Sequence, residues 1–279
     1  MMSREITYKE IRALFARKRS RDAWKGDFGR VLIIAGSKGM AGAAILCAKG
    51  ALRAGAGLVT IFVPDELLPI VQCAVPEATC MVTPLSPEAL SIFDAVAIGP
   101  GLGVTARAQE IVQYTLENYS GKIVLDADAL NIIANLSVKL DTDTIITPHP
   151  GEAARLLGTT SGVIQAKREA SVAFLAEKYG CVTVLKGAGT LIAVTDPALE
   201  MFINTTGNPG MATGGSGDVL TGVIASFAAQ GMPSLTAARA GVFIHGLAGD
   251  LAADFIGEHG LTANDIPDAV AKALKQISK

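Results

Sequence analysis

NTTGNPGMATGGSGDVLTG, residues 204–222, is the stretch on which the rest of the chain depends. Glycines at 207, 210, 214, 215, 217 and 222 crowd it, and each would cost ~0.5–1 kcal/mol inside a helix or strand. The expectation is therefore a glycine-rich loop that opens straight into an apolar helix over 219–229. Such a junction leaves backbone N–H groups unpaired, with the positive end of the helix dipole behind them. That is an anion site, and phosphate is the usual anion. Asp218 then stands out, because a carboxylate beside a phosphate loop is electrostatically unfavourable. It either caps the helix or acts as a general base on a hydroxyl held against a phosphoryl group. The general base is the preferred role.

Outward from this stretch, composition limits the architecture. Of 279 residues, 50% are hydrophobic, 18% charged and 5% aromatic. Ala, Val, Ile and Leu must supply the core, as in a parallel sheet covered by helices on both faces. A net charge of −2 gives no global case for nucleic acid or an anionic membrane. Cys47, Cys73, Cys80 and Cys181 lack CxxC spacing, as expected of reduced intracellular thiols. The N-terminus, MMSREITYKEIR, lacks a signal-peptide apolar core, and no apolar run reaches the ~20 residues a bilayer requires. The expectation is a soluble, cytoplasmic protein without membrane partners.

In chain order, residues 6–15 predict an amphipathic helix, followed by Arg17, Lys18, Arg19, Arg21 and Lys25. That basic run reads as a solvated face, or as a means of steering an anion or meeting another subunit. Strands are expected at 31–35, 58–63, 95–98, 123–125, 145–146, 182–185, 191–194 and 201–203. Helices are expected at 42–54, 105–119, 161–179, 219–229, 234–256 and 261–277. The glycines at 36, 39 and 42 do not form GxGxxG, so that loop alone is weak as a dinucleotide signal. With no linker or repeat, residues 1–279 predict one domain, an open, mostly parallel α/β sandwich. Ligands bind such sheets outside the carboxyl ends of the strands. Here those ends carry GSKGMAGA, GPGLG, LDAD, TPHPGE and KGAGT.

Seven ordered motifs carry a resemblance: KGDFGRVLIIAGS, GAGLVT, IGPGLG, LDADALN, TPHPGEAARLLG, VLKGAGTLI and NPGMATGGSGDVLTG. Across roughly residues 24–275 the chain resembles the ADP/ATP-dependent NAD(P)H-hydrate dehydratases, a branch of the ribokinase-like superfamily with a three-layer α/β/α sandwich. The resemblance implies dehydration of the S form of hydrated NADH or NADPH while ADP or ATP loses its terminal phosphate. It also implies a homotetramer and a separate hydrate epimerase, since no epimerase domain is expected within residues 1–279.

Hydroxide leaves poorly, so elimination from the ring requires its hydroxyl to be activated. Asp218 would deprotonate it for attack on the terminal phosphoryl group, and the N–H groups of Gly214, Gly215, Ser216 and Gly217 would hold the developing charge. By the resemblance, Lys186, Gly187, Ala188, Gly189, Thr190 and Gly217 contact the nucleotide. Ala43, Gly101 or Gly103, His149 and Asp218 line the substrate side. Magnesium is expected with the nucleotide phosphates, and Glu152 is its candidate residue, directly or through water. Glu152 could instead serve as a favourable charge in the first turn of its helix. Asp126 and Asp128 contact ribose hydroxyls or cap the following helix. His245 reads as a core histidine, and His259 carries no signal. A small-molecule kinase for a vitamin precursor or sugar is the alternative within the same fold, and a nucleotide-binding regulator without turnover is the alternative outside it.

Overall fold

A computed structural model describes residues 3–16 and 19–279. Ten strands lie in one sheet among those residues: β1 (Arg4–Glu5), β2 (Arg30–Ile34), β3 (Leu58–Phe62), β4 (Thr79–Cys80), β5 (Ala95–Ile98), β6 (Lys122–Leu125), β7 (Thr144–Ile146), β8 (Val182–Leu185), β9 (Thr190–Thr195) and β10 (Leu199–Asn204). Their order is β1-β10-β9-β8-β7-β6-β5-β2-β3-β4. All pairings from β8 through to β4 are parallel, whereas β9 runs antiparallel to both β8 and β10. The topology reverses at β2 and β5, the kind of place where such sheets leave a crevice for ligands.

The apolar runs exist because both faces are covered. Val31 and Ile33 pack with the helices Ala41–Arg53, Ser216–Ala229, Ser234–Ile256 and Ile266–Ile277. Leu32 and Ile34 face the opposite layer, built from Ala106–Asn118, Asp128–Ile133, Pro150–Leu157 and Arg168–Tyr179. The result is a three-layer α/β/α sandwich. Ile33 is fully buried, and its truncation to alanine is expected to cost ~2–5 kcal/mol.

Several elements differ from their sequence expectations. Gly217 and Gly222 lie inside the helix Ser216–Ala229, which begins before residue 219. A Cβ at Gly222 would fall on the carbonyl of Cys47, and one at Gly50 would stand 2.5 Å from the carbonyl oxygen of Val219. These glycines let the anion-loop helix approach the Ala41–Arg53 helix closely, and that packing outweighs their poor helix propensity. The expected helix over 161–179 is two helices, Ser161–Ala166 and Arg168–Tyr179, broken at Lys167. The last helix starts at Ile266, because Thr262 and Asp265 close a turn ahead of it. Arg17 and Lys18 lie outside the described residues. Arg19 is exposed, as a solvated face requires, and is also anchored: its guanidinium stacks 3.7 Å from the Phe28 ring centroid and donates to the Gly55 carbonyl at 2.7 Å.

Candidate active site

The carboxyl ends of β6, β7 and β8 deliver Asp126, the 147–149 turn and Lys186 to one place. Asp126 is 1% exposed and doubly held. Lys186 Nζ donates to its Oδ1 at 2.5 Å, and Thr221 Oγ1 donates to its Oδ2 at 2.7 Å. A buried carboxylate is tolerable only when its oxygens are matched in this way. Asp126 thus commits both oxygens to protein partners, and its side chain does not cap the following helix, whose N-cap is Ala127. Asp128 holds a neighbouring loop instead. Its Oδ2 accepts the Gly103 N–H at 2.7 Å and so pins the 99–103 segment.

Asp218 sits in the first turn of the Ser216–Ala229 helix, half-buried, behind the left-handed N-cap Gly215. Burial raises its pKa to about 7; Asp126, Glu152 and Asp128 add to the rise, while Lys186 opposes it. Burial works against the Lys186 ammonium, yet Asp126 and then Glu152 outweigh it and hold Lys186 above its ordinary range. Gly217 faces this pair, and a Cβ there would stand 3.3 Å from Lys186 Nζ. Of the four loop amides, that of Ser216 is engaged locally, donating to the Thr213 carbonyl at 3.3 Å.

His149 and Glu152 form a reciprocal cap at the start of Pro150–Leu157. His149 Nδ1 accepts from the N–H groups of Gly151 (2.9 Å) and Glu152 (3.4 Å), and Glu152 Oε2 accepts the His149 N–H at 2.8 Å. With Nδ1 accepting, the imidazole proton belongs on Nε2, which stands 3.2 Å from Glu152 Oε1. Glu152, 5% exposed, thus has Oε2 held by the His149 backbone, with Lys186 Nζ 3.8 Å from the same oxygen.

The 186–190 loop is clamped from behind. Arg168 donates to the carbonyls of Leu185, Lys186 and Gly189, and Thr190 Oγ1 to that of Gly187. The 204–211 loop is clamped by Asp250, which accepts from the Gly207 N–H at 2.9 Å and Asn208 Nδ2 at 3.0 Å. Sequence reasoning missed Arg168, Thr221 and Asp250, since each sits in an ordinary helical pattern. Only the fold reveals their targets.

A cavity of about 770 Å³ opens here, lined among others by Asp126, His149, Lys186, Asp218 and His245. Gly187, Ala188, Gly189, Thr190, Gly215, Ser216 and Gly217 also line it. His245 is more than a core residue. It is 7% exposed, its Nε2 has no partner, and burial depresses its pKa to about 4, so it presents a neutral ring to the cavity. Ala43, Gly101 and Gly103 are not part of this lining. A Cβ on Gly101 would lie 2.8 Å from that of Ala43. Gly103 lines a second cavity of about 540 Å³ at the ends of β2, β3 and β5. Among the described residues, no group of three or more His, Cys, Asp or Glu is arranged to hold a metal ion. Nor is any helix among them long and apolar enough to cross a membrane.

A three-layer sandwich with a glycine-rich loop, and an aspartate at the head of the following helix, defines a ribokinase-like fold. Residues 31–272 match the NAD(P)H-hydrate dehydratase family model, and the chain belongs to that family. It is 40% identical over 271 residues to the ADP-dependent (S)-NAD(P)H-hydrate dehydratase of Neisseria meningitidis, covering 94% of this chain and 90% of that one. It is 46% identical over 252 residues to the bifunctional NAD(P)H-hydrate repair enzyme of Coxiella burnetii, covering 89% of this chain and 51% of that one. The chain spans about half the length of the bifunctional relatives it matches, between 47% and 52%. The ADP/ATP-dependent NAD(P)H-hydrate dehydratase of Bacillus subtilis, co-crystallized with ATP/Mg2+, superposes with a TM-score of 0.89 at 32% identity, covering 99% of both chains.

Proposed function

We propose that the protein dehydrates the S form of hydrated NADH or NADPH to the reduced cofactor, splitting ADP or ATP at its terminal phosphate. The observation that carries the reading is Asp218: a half-buried carboxylate with a pKa near 7, at the anion loop and in the wall of the larger cavity. A base poised near working pH suits proton removal from a hydroxyl. Asp218 takes the ring hydroxyl proton, and the oxygen attacks the terminal phosphoryl group, displacing AMP from ADP or ADP from ATP. The ring nitrogen lone pair then expels phosphate by breaking the carbon–oxygen bond. Loss of a proton from the neighbouring ring carbon restores the double bond.

In this proposal Lys186, the 187–190 loop and Gly217 hold the nucleotide, and His149 flanks the reacting ring. Ala43 and Gly101 shape the approach to it. Magnesium, when bound, neutralises nucleotide phosphate charge. The carboxylates near Lys186 fit a cation carried largely by phosphate and water; Glu152, whose Oε2 already accepts the His149 N–H, would act through water. The proposal extends to a homotetramer in the cytoplasm, working with a hydrate epimerase that supplies the S form. Exposed apolar side chains such as Phe255 (87%) and Trp24 (59%) support self-association, and the four free cysteines suit a reducing compartment.

The test is to incubate the protein with hydrated NADH, ADP and magnesium while following the absorbance of reduced nicotinamide. A rise that requires nucleotide, with AMP and phosphate formed in step, is the expected result. A flat trace with both ADP and ATP would return a small-molecule kinase to first place.

A further inference from the structure

We infer that Asp250 is a positioning residue for the nucleotide: it stands outside the cavity lining and acts through the 204–213 loop, on whose shape the ADP or ATP site depends. This rests on the dehydratase reading and adds a residue to its nucleotide side. Residues 204–209 and 211–213 of this one loop line the larger cavity, alongside Lys186 and the 187–190 loop. The loop then runs into the glycines of the anion loop, where the Ser216 N–H donates back to the Thr213 carbonyl at 3.3 Å. A shift in residues 204–213 is therefore passed to the amides expected to meet phosphate.

Little within the loop fixes its shape. The 3-10 turn Pro209–Met211 is its one regular piece. Ahead of it, Asn204 Nδ2 donates to the Thr206 carbonyl at 3.1 Å, and Thr206 Oγ1 donates back to Asn204 Oδ1 at 3.1 Å. Beyond, Asn208 Oδ1 accepts the Gly210 N–H at 3.0 Å and caps the turn. The joint between these two knots is Gly207, at φ +105°, a conformation open to glycine and strained for other residues. Asp250 spans that joint. Its Oδ2 accepts the Gly207 N–H at 2.9 Å, and its Oδ1 accepts from Asn208 Nδ2 at 3.0 Å. One carboxylate thus sets the chain direction at the joint and the orientation of the amide that caps the turn. Bonds to a charged acceptor are stronger than neutral ones.

The helix Ser234–Ile256 is shaped to receive the loop. Phe243, Gly246 and Asp250 are spaced i, i+3 and i+7, so they share one face. The Phe243 carbonyl accepts from Thr206 Oγ1 at 3.1 Å. A Cβ at Gly246 would fall on Thr206, and one at Gly249 on the Met211 side chain. Missing side chains let the loop settle on the helix. Among the described residues, Asp250 makes all of the hydrogen bonds to the loop that involve a side chain of this helix. The helix therefore serves the cavity twice. Val242, His245 and Gly246 line it directly, and Asp250 acts from one turn further along, through the loop.

The experiment compares the wild type with Asp250→Asn and Asp250→Ala in the dehydration assay, varying ADP and hydrated NADH in turn. Asparagine keeps the shape and one acceptor, whereas alanine removes both. KM for ADP should rise about tenfold in Asp250→Ala and about threefold in Asp250→Asn, the low end for bonds to a charged group at a partly exposed site. KM for hydrated NADH should stay within about twofold, and kcat at saturating ADP should fall by no more than about threefold. A residue that only held the fold together would weaken both substrates alike. An unchanged KM for ADP, or equal losses for the two substrates, would overturn the inference. Calorimetric titration with magnesium and ADP needs no turnover and so separates it from the dehydratase reading. If ADP binding weakens from wild type to Asn to Ala while the wild type dehydrates nothing, the dehydratase reading fails and the assignment of Asp250 stands. Normal dehydration with equal ADP dissociation constants does the reverse. Hydrogen exchange covers the case in which Asp250→Ala fails to fold. In Asp250→Asn, residues 207–212 should exchange faster without ADP and regain wild-type protection when ADP saturates; equal exchange in both states would overturn the inference.

Discussion

The two cavities on one sheet edge are built on opposite plans. In the larger, the charges are buried and bound to one another: Lys186 to Asp126, Asp126 to Thr221, and Glu152 to His149. In the smaller, Asp65, Glu66 and Arg107 stand exposed and uncommitted. Burial gives the first set strong fields and shifted proton affinities, as at Asp218. Exposure leaves the second set screened and nearly neutral in its effect on folding. The difference is one of electrostatic setting: one region alters a proton affinity, and the other leaves its charges to solvent.

The largest effect expected is at Asp218. Asp218→Asn should reduce kcat by about 10²–10⁴-fold, the range for general-base catalysis, while ADP still binds in calorimetry. Equal kcat in the variant would remove Asp218 from the chemistry. Next comes the buried pair. Asp126→Ala strands the Lys186 ammonium and should destabilise the fold by about 3–5 kcal/mol in urea titration. The matched change at the smaller cavity, Glu66→Gln, should stay within about 0.5 kcal/mol. Similar losses at both positions would erase the contrast.

The third effect is smaller and depends on pH. The pKa of Asp218 rises from 3.8 to about 7 on folding, so the folded state holds this proton more tightly than the unfolded state. Stability associated with that proton is fully present below the unfolded value and is lost as pH climbs through the folded value. Asp218→Asn and the wild type should therefore melt together near pH 4, with the variant higher by a few degrees above about pH 7. A constant gap at every pH would contradict the shifted carboxylate. The wild-type dehydration rate should rise across the same interval as Asp218 ionises.

The sheet was legible in the sequence because its strands are buried on both faces and read as unbroken apolar runs, such as 31–35 and 182–185. The anion loop was legible because its glycines precede an apolar helix. Less visible was which glycines serve the loop and which serve packing. Gly217 and Gly222 are helical, and only the nearness of Lys186 and Cys47 explains them. The partner of Asp126 was hidden for a related reason. Lys186 and Thr221 lie 60 and 95 residues from it in sequence, and nothing local signals a contact over that distance. His245 looked like core because its neighbours are apolar, yet its Nε2 is left without a partner in the wall of the cavity.

The central claim is that the ring hydroxyl becomes a phosphate ester before it leaves. Hydrated NADH carrying oxygen-18 in that hydroxyl would be turned over with unlabelled ADP, and the released phosphate weighed by mass spectrometry. The account predicts one heavy oxygen in each phosphate, with none in water. Label found in water, and unlabelled phosphate, would contradict it.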